Sequence, residues 1–337
     1  MKLHRRNEIT VFILGILLLI LIIISFRLGR YPVNTKELVG ILASNFFKIE
    51  KFWPEQMETV LYNIRLPRIA LACLVGCCLS VAGASYQGVF QNPMAAPDIL
   101  GASSGAAFGA ALAILNYGSS REITLSAFFF SLLTVAIVNF ISKRARGKNI
   151  LGLVLSGIMV SSLFSAGTSF IKLVADPNDQ LPAITYWLMG SLSGTKKEDV
   201  LFVILPMTMG LIPLFLIRWR MNVLTLGDDE AKTMGVNANQ IRLIVIICST
   251  LITAASVSVS GMIGWVGLVI PHLSRKLVGN NYKHLIPASM LFGAIFLLLV
   301  DNVSRNLLTT EIPLGILTAF IGAPFFLYLI TRRGESY

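Results

Sequence analysis

From Ile69 to Pro97 the chain carries no charged side chain, and two arginines, Arg65 and Arg68, close the run at its start. An uncharged run this long, with apolar residues on every side, folds stably in only one setting. In a bilayer every backbone N–H and C=O must be satisfied within the segment, so the run has to be helical. Proline is favoured at the first helical position because its missing N–H would be unpaired there. The spacing therefore predicts a helix from about Pro67 to Phe90, long enough for a hydrocarbon core of roughly 30 Å. Gly76, Ser80, Ala84 and Gly88 recur at four-residue spacing and form a stripe of small side chains, where another helix can approach closely. Gln87, Gln91 and Asn92 stand at the far end, and Pro93 and Pro97 break the helix. Gly101, Gly105 and Gly109 make a second small stripe.

The same pattern repeats along the chain. Hydrophobic residues make up 55% and charged residues 13% of 337, about half the charged share of an ordinary soluble protein. This excludes a soluble domain, and it explains the net charge of +11 without nucleic acid, because loops on the cytoplasmic side of membrane proteins are rich in Lys and Arg. The cysteines, Cys73, Cys77, Cys78 and Cys248, lie inside apolar runs without the spacing of a metal site and read as small hydrophobes.

Spans are expected at about 9–28, 67–90, 99–117, 122–141, 150–172 and 199–219, with a half-helix over Ile184–Leu192, and at about 285–301 and 312–331. The first follows Lys2, Arg5 and Arg6 and has no small-residue cleavage site after it, so it reads as an uncleaved span. Residues 29–62, with Trp53, read as an amphipathic segment on the outer interface. The uncharged run 243–271 would be about 43 Å as one straight helix. It starts beyond Arg242 and ends before Arg275, Lys276 and Lys283, so parity requires it to go out and back, with a break at Gly261, Gly264 or Gly267. With both termini inside, sixteen of the 28 Lys and Arg fall on the cytoplasmic side, four of them in KRARGK (143–148). Seven of the twelve external ones lie between Arg27 and Arg68, against the usual trend.

Chemistry-bearing patterns are few. No phosphate-binding glycine loop precedes Gly147-Lys148, no metal-ligand cluster is visible, and His4, His272 and His284 are scattered at membrane edges. Asp98 and Asp301 lie at span ends, which disfavours a proton-coupled carrier. In TLGDDEAKTMGVNANQIR (225–242), Gly235 stops one short helix and Asn237 caps a second, giving a helix-turn-helix on the cytoplasmic side or else a solvated loop. Pro271 in GLVIPHLSR (267–275) is expected to end a helix, leaving Arg275 for an acid or a lipid phosphate. Arg65, Arg68 and Arg305 face outside in this topology, where lipid-headgroup anchoring is one reading. Ser161, Ser162, Ser165 and Thr168 share roughly one helical arc and make either a weakly polar wall or a set of hydroxyls bonded to their own backbone.

RLPR followed by Q-x-x-x-x-N-P-M-A-x-P-x-x-L-G resembles the FecCD family of permeases, with Met94 where leucine is usual. LGDDEAKTMGV, GLVIPHLSR and VSRNLLTTEIPLGILTAFIGAPFF (303–326) extend the resemblance over most of the chain. It implies an all-α membrane protein of about ten transmembrane helices with the type II, cobalamin-permease-like importer fold. The whole chain, 1–337, would form a single permease domain. It implies the membrane subunit of an ATP-binding-cassette importer, not an enzyme, with a siderophore-bound iron as first choice of cargo and haem, cobalamin or molybdate as alternatives. The implied partners are a second permease copy, two ATP-binding subunits that hold ATP and Mg, an external substrate-binding protein and membrane lipid. Nucleic acid is not among them, and this chain itself would bind no cofactor and no metal. The setting implied is the inner or cell membrane of a bacterium or archaeon. Arg65, Arg68 and Arg305 would receive glutamates of the binding protein. Gly227, Asp228, Glu230, Ala231, Gly235 and Val236 would belong to the coupling helices that dock on the ATPase. The pathway would run on a two-fold axis, lined by span five, the half-helix and span ten. Two rivals remain: a secondary carrier working alone, and a non-transporting scaffold.

Overall fold

A computed structural model describes residues 2–44, 47, 50–144 and 150–332. Residues 145–148 of KRARGK lie outside the described residues, as do Phe46, Lys48, Asn149 and Arg333. The described chain folds into helices joined by short connections: α1 (Lys2–Arg27), α2 (Thr35–Ser44), α3 (Glu55–Thr59), a π-helical turn (Val60–Arg65), α4 (Leu66–Val89), α5 (Ala102–Leu115), α6 (Ser120–Arg144), α7 (Ile150–Val174), α8 (Gln180–Met189), α9 (Lys197–Leu216), α10 (Arg218–Leu224), α11 (Asp228–Thr233), α12 (Ala238–Ser260), α13 (Val266–Val278), α14 (Tyr282–Asn306) and α15 (Leu314–Arg332). Seven helical segments are long and apolar enough to cross a bilayer, and the shorter α5, α13 and α15 complete the expected ten.

The centre of the bundle is the stretch that dominated the sequence. Of the apolar window in Glu55–Val89, 78% is buried, and 72% of that in α12, against 22% for α1, α7 and α9. α4 is therefore encircled, by α12, α13 and α14 among others, while α1, α7 and α9 stand outside. The small stripe explains why. A Cβ on Gly76 would come 2.2 Å from the Gly293 carbonyl oxygen of α14, and one on Gly83 only 1.7 Å from that of Gly267 in α13. Backbones touch at these two points, and no larger residue fits.

Two prolines behave differently from expectation. The helix does not begin at Pro67. It starts at Glu55 and passes through the π turn, where Leu66 N–H reaches back five residues to the Leu61 carbonyl. A wider π turn accommodates the missing donor and the ring of Pro67 two residues into α4. Pro271 likewise does not end a helix, because α13 runs through it to Val278. Lacking an N–H, Pro271 leaves the Gly267 carbonyl without its helical donor, and the Gln87 side-chain amide approaches that oxygen at 3.5 Å. The Gln87 carbonyl oxygen in turn accepts from Arg275. Gln87 thus repairs the proline's gap and holds the one arginine that was expected to seek an acid.

The uncharged run 243–271 breaks as parity required. α12 ends at Gly261 (φ +65°), and α13 begins after Trp265, a non-glycine residue at φ +69°. The half-helix starts earlier than Ile184, at Gln180, because Pro182 is compatible with the first turn, where no intrahelical N–H bond is needed. Trp53, in the segment read as interfacial, is 5% exposed within the chain, with its indole N–H donating to Glu58 at 2.7 Å.

Candidate functional site

The arginines expected on an exposed outer surface form instead the centre of a buried charge cluster. Arg65, Arg68 and Arg305 are 3%, 7% and 7% exposed. The Arg68 guanidinium forks: Nη1 and Nη2 donate to the two carboxylate oxygens of Glu311 at 2.9 and 3.0 Å, and Nε donates to Asp301 at 2.9 Å. Asp301 is completely buried, and its other oxygen lies 3.5 Å from Arg305 Nε. Arg65 donates to the carbonyls of Phe26 and Tyr31, and Arg305 to Asn302 and the Ser25 carbonyl. The cluster ties the end of α1, the start of α4, the end of α14 and the loop before α15 into one unit. Two guanidiniums, Arg68 and Arg305, face the two carboxylates, while Arg65 is held by backbone carbonyls.

Glu311 sits in the loop outside the spans. Burial pushes its carboxyl up, but the Arg68 hydrogen bonds and charge, with Arg30 beyond, outweigh this and hold it below the ordinary carboxylate value. Arg30 also donates to the carbonyls of Leu308 and Thr309. Sequence reasoning named the arginines but not Asp301 or Glu311 as their partners. The Asp301–Arg305 spacing of four within one helix was the available signal.

Three chain segments meet beside this loop. Leu314 N–H donates to the Gly190 carbonyl at the end of α8, and Ser191 N–H to the Ser260 carbonyl at the end of α12. Below the meeting point lies a cavity of about 630 Å³, walled by Leu188 and Met189 of α8, Met262 and Trp265 of the break, and Ile316 and Phe320 of α15. No lining residue is charged. The α15 face beyond it is bare, with Phe320 74% exposed. The opposite face of α8 borders a second cavity of about 540 Å³, where Tyr186, Ser191, Thr195 and Asp199 add polar groups to a largely apolar wall.

The α7 hydroxyls do not gather on this wall. Ser162 and Thr168 donate to the carbonyls four residues back, Thr168 is buried, and Ser161 packs against Gly101. Ser165 is exposed, and its carbonyl accepts from Ser169. The half-helix and α15 line the cavity, and the break between α12 and α13 joins them; α7 is not among its lining residues.

At the opposite end of the bundle the bend forms as its sequence predicts. Gly227 (φ +129°) precedes α11, and Gly235 (φ +75°) ends it, with Val236 N–H donating to Ala231 O at 2.8 Å in a Schellman-type closure. Asn237 accepts from Gln240 N–H, and so caps α12 itself: the second helix is the first turn of a span, not a separate short element. Ala231 and Val236 are buried. Asp228 takes both its bonds from Arg242 Nη2, at 2.8 and 3.2 Å, and the Glu230 carboxylate folds back over Gly227. Leu226 and Met234, 61% and 53% exposed, present an apolar face to the outside. α10 anchors the bend, since Gln91 donates to Leu224 O at 2.8 Å and Asn222 bonds Asn281 and Tyr282 N–H. A rigid surface helix with an apolar tip, bonded directly to a central span, can pass a push into the bundle.

The family model for the FecCD transport family matches residues 17–332. The molybdate import system permease protein MolB of Haemophilus influenzae is 42% identical over 328 residues, covering 96% of this chain and 97% of that protein. An iron chelatin transport system permease protein of Helicobacter pylori is 42% identical over 276 residues, covering 82% and 83% of the two chains. A solved inward-facing structure, of a protein assigned to the metal-chelate type of ABC transporter, superposes with a TM-score of 0.86 at 41% identity over 96% of this chain and 98% of that one. The chain is a multi-pass membrane protein and belongs to the FecCD transport family.

Proposed function

We propose that the chain is the permease subunit of an ATP-driven importer that passes an iron chelate from an external binding protein to the cytoplasm. The uncharged cavity between α8, the α12–α13 break and α15 carries this reading. A wall of leucine, methionine and aromatic side chains offers a chelated ferric ion no carboxylate or imidazole ligand and no fixed charge to stick to. The bare α15 face beside it is where a second copy would close the conduit, and lipid covers the remaining outer helices. Energy comes from separate ATP-binding subunits, two for the two copies, docked on Leu226 and Met234 and on the bend formed by Gly227, Asp228, Glu230, Ala231, Gly235 and Val236. That places the bend and both termini in the cytoplasm. The binding protein meets the other end, where Arg65, Arg68 and Arg305 back the docking surface from inside rather than line it.

Proteoliposomes carrying the chain with its ATP-binding subunit and binding protein test this. ATP-dependent uptake of a ferric siderophore is the expected result. A second reading, import of an oxyanion, rests on the similarity to a molybdate permease. Uptake of molybdate but not of any iron chelate would replace the first reading by the second. Uptake that persists without the ATP-binding subunit would overturn both.

A further inference from the structure

Between the end of α6 and the starts of α7 and α12, beside the bend, lies a crevice of about 300 Å³. Its composition is divided. Two cations, Lys143 and Arg242, and two amides, Asn139 and Asn239, supply hydrogen-bonding and charge. Leu153, Leu243 and Ile246 supply a greasy flank. Lys143 and Arg144 form the last turn of a span, and Arg242 lies in the second turn of another, so the crevice sits at the depth where headgroups meet acyl chains. The surrounding helix surface is apolar and bare: Leu151 is 66% exposed, Phe140 56% and Leu243 40%.

The polar half is only partly satisfied. Arg242 donates from Nη2 to Asp228 and from Nη1 to Asn239 Oδ1 at 3.3 Å, and Asn139 donates to Val135 O at 2.9 Å, while the buried Arg242 Nε has no acceptor among the described residues. Lys143 has no ion-pair partner among them either. Asp228 is the acid that neutralises Arg242, so among the described lining residues Lys143 keeps its positive charge. Arg144 is stacked on Phe140, 4.1 Å from the ring centroid, and adds to the field without entering the crevice. A single negative charge with several acceptor oxygens, joined to an apolar chain, matches this arrangement on both sides.

We propose that this crevice is a binding site for one anionic phospholipid, with the phosphate at Lys143 and Arg242 and the acyl chain along Leu243 and Ile246. A lipid bound there touches the arginine that holds Asp228, and so stiffens the joint between the bend and α12.

Purified full-length protein, stripped of lipid in detergent, is titrated with short-chain phosphatidylglycerol or phosphatidylcholine, and bound lipid is counted by native mass spectrometry. Phosphatidylglycerol is expected to bind the wild-type chain tightly and phosphatidylcholine weakly. Lys143→Gln should weaken phosphatidylglycerol about fivefold, the effect of one cation near a charged surface. The double variant Lys143→Gln, Arg242→Gln should lose the preference for phosphatidylglycerol. Lys172→Gln, which removes a cation at the far end of α7, should keep it. A preference unchanged in Lys143→Gln, whose exposed side chain endangers no fold, overturns the proposal. Displacement of phosphatidylglycerol by equimolar glycerol 3-phosphate also overturns it, by making the site one for a soluble anion.

Discussion

Replacing Glu311 by glutamine tests how the loop before α15 is held. The carboxylate takes two bonds from Arg68, at 2.9 and 3.0 Å. A net charge-assisted hydrogen bond contributes about 1.5–3 kcal/mol. Glutamine keeps the shape but has one acceptor oxygen, so one of the two bonds is lost and the other becomes weaker. The Glu311 side chain is 24% exposed, which screens the pair and favours the low end. The loss is about 2 kcal/mol, or roughly a thirtyfold rise in the population of the opened loop. Hydrogen exchange reads this directly at two amides, Ile312 N–H, which donates to Ser304 O at 3.2 Å, and Leu314 N–H, which donates to Gly190 O at 2.8 Å. Both should exchange about thirtyfold faster, while the core of α4 stays unchanged. The acid dependence gives a second check. The Glu311 carboxyl is held below its ordinary value, so its contribution is complete above that value and disappears as pH falls through the lowered one. Opening, corrected for intrinsic exchange, should therefore increase in acid for the wild type and stay flat for Glu311→Gln. Equal exchange in the two chains, or a rise spread evenly over α4 and α14, would refute the reasoning.

Asp301→Asn should cost more, about 3–5 kcal/mol, because it leaves the buried Arg305 without a carboxylate and Arg68 with Glu311 alone, and thermal unfolding in detergent measures it. Gly83→Ala should destabilise by about 1–3 kcal/mol or prevent assembly, since its methyl would meet the Gly267 oxygen, whereas Gly15→Ala, with nothing within 4 Å, should leave the unfolding midpoint nearly unchanged. Asp228→Asn removes a pair in which Asp228 is 55% exposed, so stability should move by under about 1 kcal/mol. ATP-driven uptake by the assembled transporter should nevertheless fall, and unchanged uptake would count against a coupling role for the bend.

What could be read from the sequence was what depends on neighbours along the chain. Gly235 and Asn237 ended and capped the right helices because αL closure and N-capping act within a few residues. Gly261 broke the 243–271 run for the same reason. The partners of the arginines were hidden because Arg68 reaches across 233 residues to Asp301 and 243 to Glu311. Pro67 and Pro271 were misread as boundaries because their missing donors are compensated elsewhere, by a π turn in one case and by Gln87 in the other. The hydroxyls of α7 were read as a weakly polar wall or as groups bonded to their own backbone; Ser162 and Thr168 take the second form, and which arc faces a cavity depends on neighbours of α7 that the sequence does not specify.

The ten residues of α8 are a shared partition: Leu188 and Met189 face the greasy chamber, and Ala183 and Tyr186 the one that holds Ser191 and Asp199. A side chain enlarged on one flank of this short rod therefore presses on that compartment alone, while a shift of the rod itself would be felt in both.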